Sequence, residues 1–390
     1  MIDWQTKDLI DRAALAAGCH GELHWAPITA VHDLVPPGRR WTLVTSAGWL
    51  ARGIAGRIGG DPQLVIAEPR PQLARLLALA ERLAPPEVIV AIGGGSAIDA
   101  AKALAAFELA GRDASAVIHH ALDGDALPAG PAPVIIAAPT TAGTGAELTP
   151  WASMWLAERK CSLHDPRLEP RHAVIDPALA ATMPREVALA AGLDAAAHAM
   201  EAVWNRNHAA ASDALARAAL ARIVPGLPRL LDGEPVAEQL QVGALLAGIA
   251  MRRTQTALAH SMSYVLSGRF GLPHGLACGF TLGEVARFNA EAAPERLAPI
   301  AAAFGCRTSA LAPTITAWLA MLGVGRVLRR RLRLRELRAL GDELIDARRA
   351  PNNLREADAA QARALVCAAF ARLTVEPVEV SDKSFALARS

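Results

Sequence analysis

The sequence has no C-x-x-C pair, and its five cysteines, Cys19, Cys161, Cys278, Cys306 and Cys367, form an odd and scattered set. That excludes a disulfide framework and a zinc–thiolate site, and it points to reduced thiols in a cytoplasmic protein. Charge excess is also missing. A formal balance of +2 gives no global attraction to nucleic acid or acidic membranes. The opening MIDWQTKDLIDRAAL is acidic and amphipathic, so no secretory leader is expected. No apolar run reaches membrane-spanning length without Pro, Gly or a charge. Aromatics and reading motifs are lacking around RVLRRRLRLRELR, where seven arginines fall between Arg326 and Arg338. Leucines alternate with those arginines, which predicts a solvated element with one apolar edge rather than a nucleic-acid surface.

At 390 residues the chain is long for one hydrophobic core, so two domains are expected. The first half alternates β-branched runs with helical ones. RWTLVTSAG (Arg40 to Gly48), PQLVIAEP (Pro62 to Pro69), PEVIVAIGGGS (Pro86 to Ser96) and APVIIAAPTTAGTGAE (Ala132 to Glu147) read as strands running into turns. Buried strands alternating with helices predict βαβ units and a parallel sheet covered on both faces. After HAVIDPALAATMP the strands nearly vanish, and Ala/Leu-rich helices take over. The predicted fold class is therefore α/β plus all-α. An α/β domain spans residues 1–178 and a helical domain residues 179–390.

The turn GGGS after a buried strand lets the backbone approach a ligand, and Ser96 is suited to cap the following helix, whose first amides favour phosphate. Neither GxxxxGK[ST] nor GxGxxG is present, since Ile98 stands at the third glycine position. PTTAGTGAE repeats the device, with Thr140, Thr141 and Thr144 beside Gly143 and Gly145. Two such loops at the C-terminal ends of strands predict a dinucleotide in the crevice, although a tight structural turn explains either loop alone.

In GLDAAAHAMEAV, Asp194 and His198 stand four apart and share one helix face. His260 and His274 close the two ends of the largely apolar AHSMSYVLSGRFGLPHG. Together the four make an oxygen and nitrogen set suited to a divalent first-row cation. They also fit core histidines, each of which then needs a buried hydrogen-bond partner.

GGGSAIDAAK, PTTAGTGAELTPW, VIDPAL, GLDAAAHAMEA, the H…PHG segment and PNN at Asn352 and Asn353 resemble, in order and spacing, the iron-containing (group III) alcohol dehydrogenase family. The resemblance covers essentially the whole chain. It implies a dehydroquinate synthase-like architecture: a Rossmann-like parallel-sheet domain, a helical domain with one divalent metal, and a cleft between them. It places Asp194, His198, His260 and His274 at the metal. Gly94, Gly95, Ser96 and Asp99 fall at the pyrophosphate and nicotinamide ribose. Thr140, Thr141, Thr149, Lys160 and Leu179 line the rest of the cofactor site. The implied metal is Fe2+, with Zn2+ or Mn2+ as alternatives, and the implied activity is metal-assisted hydride transfer between NAD(H) or NADP(H) and a small aldehyde or alcohol. A homo-oligomer is implied as well.

Two positions depart from the family pattern. Members often carry a histidine four residues after the third ligand, credited with proton relay, where this chain has Tyr264. A phenol can pass a proton or merely form a wall. Many members have an Asp after an early strand that binds the adenosine ribose, and here Ser46 stands there. Loss of that carboxylate admits NADP(H), with Arg52 and Arg70 as nearby cations. TAGTGAELTPWASMW, EAVWNRN and AHSMSYVL resemble the phosphonoacetaldehyde reductase branch. That implies reduction of a phosphonate-bearing aldehyde to 2-hydroxyethylphosphonate. Arg206, Arg252, Arg253 and Arg269 are candidate anion partners, or simply helix-end and surface charges. A general short-chain or glycerol-type dehydrogenase, and a nucleotide-binding protein without activity, are the alternatives.

Overall fold

The computed structural model describes residues 3–375. Eight strands occur among them: β1 (Glu22–His24), β2 (Trp41–Thr45), β3 (Gln63–Ile66), β4 (Val88–Gly93), β5 (Val134–Pro139), β6 (Trp151–Leu156), β7 (Arg159–His164) and β8 (His172–Val174). Six form one sheet in the order β1-β8-β5-β4-β2-β3, with every pairing parallel. The central strand β4, VIVAIG, is buried at every position, as a strand covered on both faces must be. The predicted strands correspond to β2, β3, β4 and β5. The short edge strand β1 and the antiparallel β6–β7 hairpin were not among them. None of the three carries Val, Ile or Thr, and their pairing is set by the rest of the fold.

Helix α1 (Gly95–Leu109) follows β4. Beyond β8 the described chain is helical, including α2 (Arg185–Val203), α3 (Ala210–Leu231), α4 (Ala237–Thr254), α5 (Leu258–Phe270) and α6 (His274–Gly279). The observed architecture is the predicted α/β plus all-α class. The far ends of the two predicted ranges, residues 1–2 and 376–390, lie outside the described residues. Helix α3 runs through Pro225 and Pro228 without ending. Leu227 and Leu231 beyond the first proline are buried, and that packing offsets the local cost of a proline in a helix.

Helix α2 sits at the heart of the helical half, packed by α3, α4 and α6. From Gly192 to Val203 it is buried all round, yet it carries Asp194, His198 and Glu201. Ionisable groups so placed must be paired or hold a cation. The arginine run behaves as predicted: Arg326, Arg329, Arg330, Arg331, Arg333, Arg335 and Arg338 are exposed, and Leu328, Leu332 and Leu337 are buried. No single helix among the described residues is long and apolar enough to cross a membrane.

Candidate functional site

The two loops predicted from glycine and threonine form one platform at the C-terminal ends of β4 and β5. A side chain at Gly95 would collide with Thr144, and one at Gly94 would press on Thr141, so the glycines let the loops touch. Gly145 adopts a left-handed φ of 62° and lies against Gly248 of α4, which brings the threonine loop onto the helical half. One local expectation is corrected. Gly94, not Ser96, takes the N-cap position of α1. Ser96 lies within the first turn, and its hydroxyl donates to the Pro69 carbonyl at 2.9 Å, a partner that competes with capping.

Beneath the platform, the fully buried Lys102 donates to the carbonyls of Ala146, Thr149 and Trp151, each at 2.7 Å. Burial depresses its pKa to about 8, while Asp99 and Glu147 favour its charge. This lysine fixes the path of the threonine loop, and the Thr149 hydroxyl faces it at 3.5 Å. Asp99 accepts from the Ser153 amide at 3.1 Å, and burial lifts its pKa to about 6 against the pull of Lys102. The Thr140 hydroxyl accepts from the Trp49 indole at 3.0 Å. Ser46 caps the short helix Ala47–Ala51 that carries this tryptophan. Leu179 belongs to the hydrophobic cluster against which Trp49 packs. It is packed into the sheet core with 1% of its surface exposed.

Of the four residues proposed for the metal, all three histidines approach one oxygen of Asp194, but the donor atoms that lie within 4.8 Å of one another are those of Asp194, His260, His274 and Cys278, and His198 falls outside that group. Asp194 Oδ1 lies 4.0 Å from His198 Nε2, 3.6 Å from His260 Nε2 and 3.9 Å from His274 Nε2. The His198 and His260 rings stack at 4.8 Å between centroids, and His274 meets His260 edge-on. Pro273 precedes the short helix α6, which begins at His274. Gly275 is what allows α6 to lie here. A methyl group on it would overlap the Ala190 carbonyl of α2 and come within 2.7 Å of Asp194 Cβ.

Sequence reasoning missed Glu201. From α2 its carboxylate, fully buried, accepts from the amides of Ala257 (2.9 Å), Ala259 (2.7 Å) and His260 (3.2 Å), and from His260 Nδ1 at 2.6 Å. It thus caps the start of α5 and fixes the His260 tautomer, with Nε2 turned toward Asp194. The available signal was a glutamate three residues after His198 inside an otherwise apolar helix.

Burial opposes ionisation of Asp194, but His198, His260 and His274 outweigh it and hold the carboxyl well below the usual range. Burial pushes His198 down to about 4 against the pull of Asp194, and it lowers His274 with help from Lys160. Asp194 Oδ1 and His260 Nε2 are buried without a hydrogen-bond partner. Orphaned acceptors aimed at a common space are rare in folded proteins, and a cation satisfies both. The donor set therefore fits a divalent ion. Cys278 borders the same space, with its Sγ 3.8 Å from His274 Nδ1.

Tyr264 joins the cluster from α5, its ring 6.3 Å from that of His274. Two cations flank it. Lys160 Nζ sits 4.2 Å from the ring centroid and 3.4 Å from His274 Nε2, and Arg349 donates to the hydroxyl at 3.3 Å. Arg349, also missed, arrives just before the PNN segment, whose Asn352 donates to the Thr256 carbonyl ahead of α5. All but one of the arginines named from the sequence have partners in the structure. Arg252 pairs with Glu169 at 2.9 Å, Arg206 with Glu356 at 2.9 Å, and Arg269 reaches Glu343 at 3.9 Å; Arg253 is exposed. Arg52 stacks on Trp49 and donates to Thr182, while Arg70 stacks on Trp155 and donates to the Gly268 carbonyl.

Two family models cover most of the chain. The one described as iron-containing alcohol dehydrogenase matches residues 32–177, and the C-terminal model of the Fe-containing alcohol dehydrogenase family matches residues 188–371. A phosphonoacetaldehyde reductase of Streptomyces viridochromogenes is 40% identical over 239 residues, which are 59% of this chain and 60% of the relative. The chain thus spans less than two thirds of that relative's length. An alcohol dehydrogenase of Thermococcus barophilus is 34% identical over 270 residues, 67% of this chain and 71% of the relative. A solved 1,3-propanediol oxidoreductase superposes with a TM-score of 0.80 at 25% identity, covering 89% of this chain and 97% of the other.

Proposed function

Since this chain belongs to the iron-containing alcohol dehydrogenase family, we propose that it is a metal-dependent, NAD(P)H-linked oxidoreductase interconverting a small aldehyde and its alcohol. The observation that carries this reading is the approach of three histidine Nε2 atoms to the orphaned Asp194 Oδ1, at 3.6 to 4.0 Å, beside the glycine–threonine platform. Asp194, His198, His260 and His274 would hold the ion. When bound, a divalent cation supplies Lewis acidity toward a carbonyl, and a nicotinamide supplies hydride. Gly94, Gly95, Ser96, Asp99, Thr140 and Thr141 would receive the nucleotide, and residues 1–178 and 179–390 would act as its two jaws.

The chain's own residues account for orientation and proton movement. Glu201 holds Nδ1–H of His260 and leaves Nε2 as an acceptor. The Tyr264 hydroxyl accepts from Arg349, so its own proton remains free to be donated to an alkoxide. Lys160 beside the ring favours an anionic group nearby.

The pair Lys160 and Arg349, together with the 40% identical reductase, supports a short aldehyde bearing a phosphonate, reduced to 2-hydroxyethylphosphonate. The 34% identical alcohol dehydrogenase favours an uncharged substrate instead. A panel of phosphonoacetaldehyde and matched uncharged aldehydes separates them, run with NADH and NADPH on Fe-, Zn- and Mn-loaded protein. The proposal expects cofactor oxidation that chelation abolishes, and kcat/KM for the phosphonate at least about tenfold above the uncharged aldehydes, a difference of about 1.4 kcal/mol. Equal rates would remove the phosphonate reading, and no oxidation of either cofactor would remove the enzyme reading. A homo-oligomer is part of the proposal and is read by light scattering of the same preparation.

A further inference from the structure

Outside the cleft, Glu22, His24 and His172 bring three donor atoms together at the edge of the sheet. Strand geometry explains the meeting. Glu22 and His24 are two apart on β1 and so share a face. Parallel pairing sets His172 of β8 opposite Glu22. His24 Nε2 lies 3.0 Å from His172 Nδ1, and Glu22 Oε2 lies 3.9 Å from the first and 3.7 Å from the second.

We propose that these three side chains form a second divalent-cation site, of the His, His, Glu type that suits zinc, separate from the Asp194 cluster. The triangle of donor atoms has a circumradius of about 2.1 Å, so one point is equidistant from all three at an ordinary zinc–nitrogen or zinc–oxygen bond length. The ligand classes match as well, with two imidazole nitrogens and one carboxylate oxygen. Arg171 donates to the other oxygen of Glu22, Oε1, at 3.1 Å, which leaves Oε2 turned to the histidines. The side chains are partly open, His24 at 28%, His172 at 18% and Glu22 at 54% exposure, so an ion can enter and keep water in its remaining positions. Its mechanical effect follows from the topology. Among the described residues, strand β1 is an edge strand of three residues paired only with β8, and a shared ion would tie the two together.

A hydrogen bond between the two rings is the competing account, and metal counting separates the two. The full-length chain is dialysed against micromolar zinc, and bound metal is measured per chain by mass spectrometry. The expected result is about two equivalents for the native chain and about one for His172→Ala, with Asp194→Ala retaining the edge equivalent. His24→Gln and Glu22→Gln, which keep the strand pairing, are expected to lose that same equivalent if His172→Ala fails to fold. Zinc should also raise the melting temperature of Asp194→Ala but not of the Asp194→Ala/His24→Gln double variant. A zinc count unchanged by all three edge variants would overturn the proposal. So would a native count of one that Asp194→Ala abolishes. Neither outcome depends on catalytic activity, so failure here leaves the dehydrogenase reading untouched, and the reverse holds too.

Discussion

Gly275→Ala is expected to abolish metal retention at the cleft and to destabilise the whole chain. The added methyl group meets backbone on α2, the Ala190 carbonyl, and not a side chain that can rotate away. Helix α6 must therefore lift, carrying His274 off Asp194, whose Cβ stands 2.7 Å from the same point. Overpacking of this kind costs about 1–3 kcal/mol or more, and a displacement of about 1 Å at a ligand is enough to spoil a site. Bound metal per chain and the melting temperature read both effects. Gly56→Ala is the control, since nothing lies within 4 Å of a side chain there and Gly56 itself is not left-handed. Native metal retention by Gly275→Ala would show that His274 is not held by this contact.

Glu201→Gln comes next in expected size. The glutamate accepts four hydrogen bonds, three from backbone amides at the start of α5 and one from His260 Nδ1. A carboxylate is an acceptor at both oxygens, whereas glutamine of the same shape turns an NH2 toward some of those donors. The imidazole loses its fixed tautomer and α5 loses its cap. Partners that orient a liganding histidine are worth about 10- to 100-fold in metal affinity, and that range is the expected loss. Competition with a chelating dye of known affinity measures it. Unchanged affinity in Glu201→Gln would mean that the carboxylate serves only the fold of α5, and a fall in melting temperature without a fall in affinity would say the same.

These two residues show where the sequence stopped being legible. Strands β2 to β5 could be read because a buried parallel strand is a run of β-branched residues whatever surrounds it, and the glycine turn could be read because backbone freedom is local. Asp194 and His198 were visible as a pair because i and i+4 share a helix face. Glu201 sits on the same helix, but its role depends on α5 starting where its carboxylate points, a tertiary fact with no local signature. The same holds for Gly275, whose missing side chain matters only once α2 lies beside it. Arginines near the metal motifs in sequence were candidates for an anion. In space, Arg349 from near the chain's end reaches Tyr264 instead, because α5 and the PNN segment pack together. Hairpin β6–β7 carries no Val, Ile or Thr to mark it as a strand pair, yet it delivers Lys160 to His274. The β1–β8 edge cluster was invisible for the same reason, since Glu22 and His172 are 150 residues apart and meet only through strand register.

The central claim is that Asp194, His198, His260 and His274 share one divalent ion. Crystals grown with cobalt, with data collected on both sides of its absorption edge, test it directly. The account predicts an anomalous peak within about 2.0–2.3 Å of Asp194 Oδ1 and of the Nε2 atoms of the three histidines. No peak in that space at full cobalt saturation, or a peak that three of the four residues cannot reach, would contradict it.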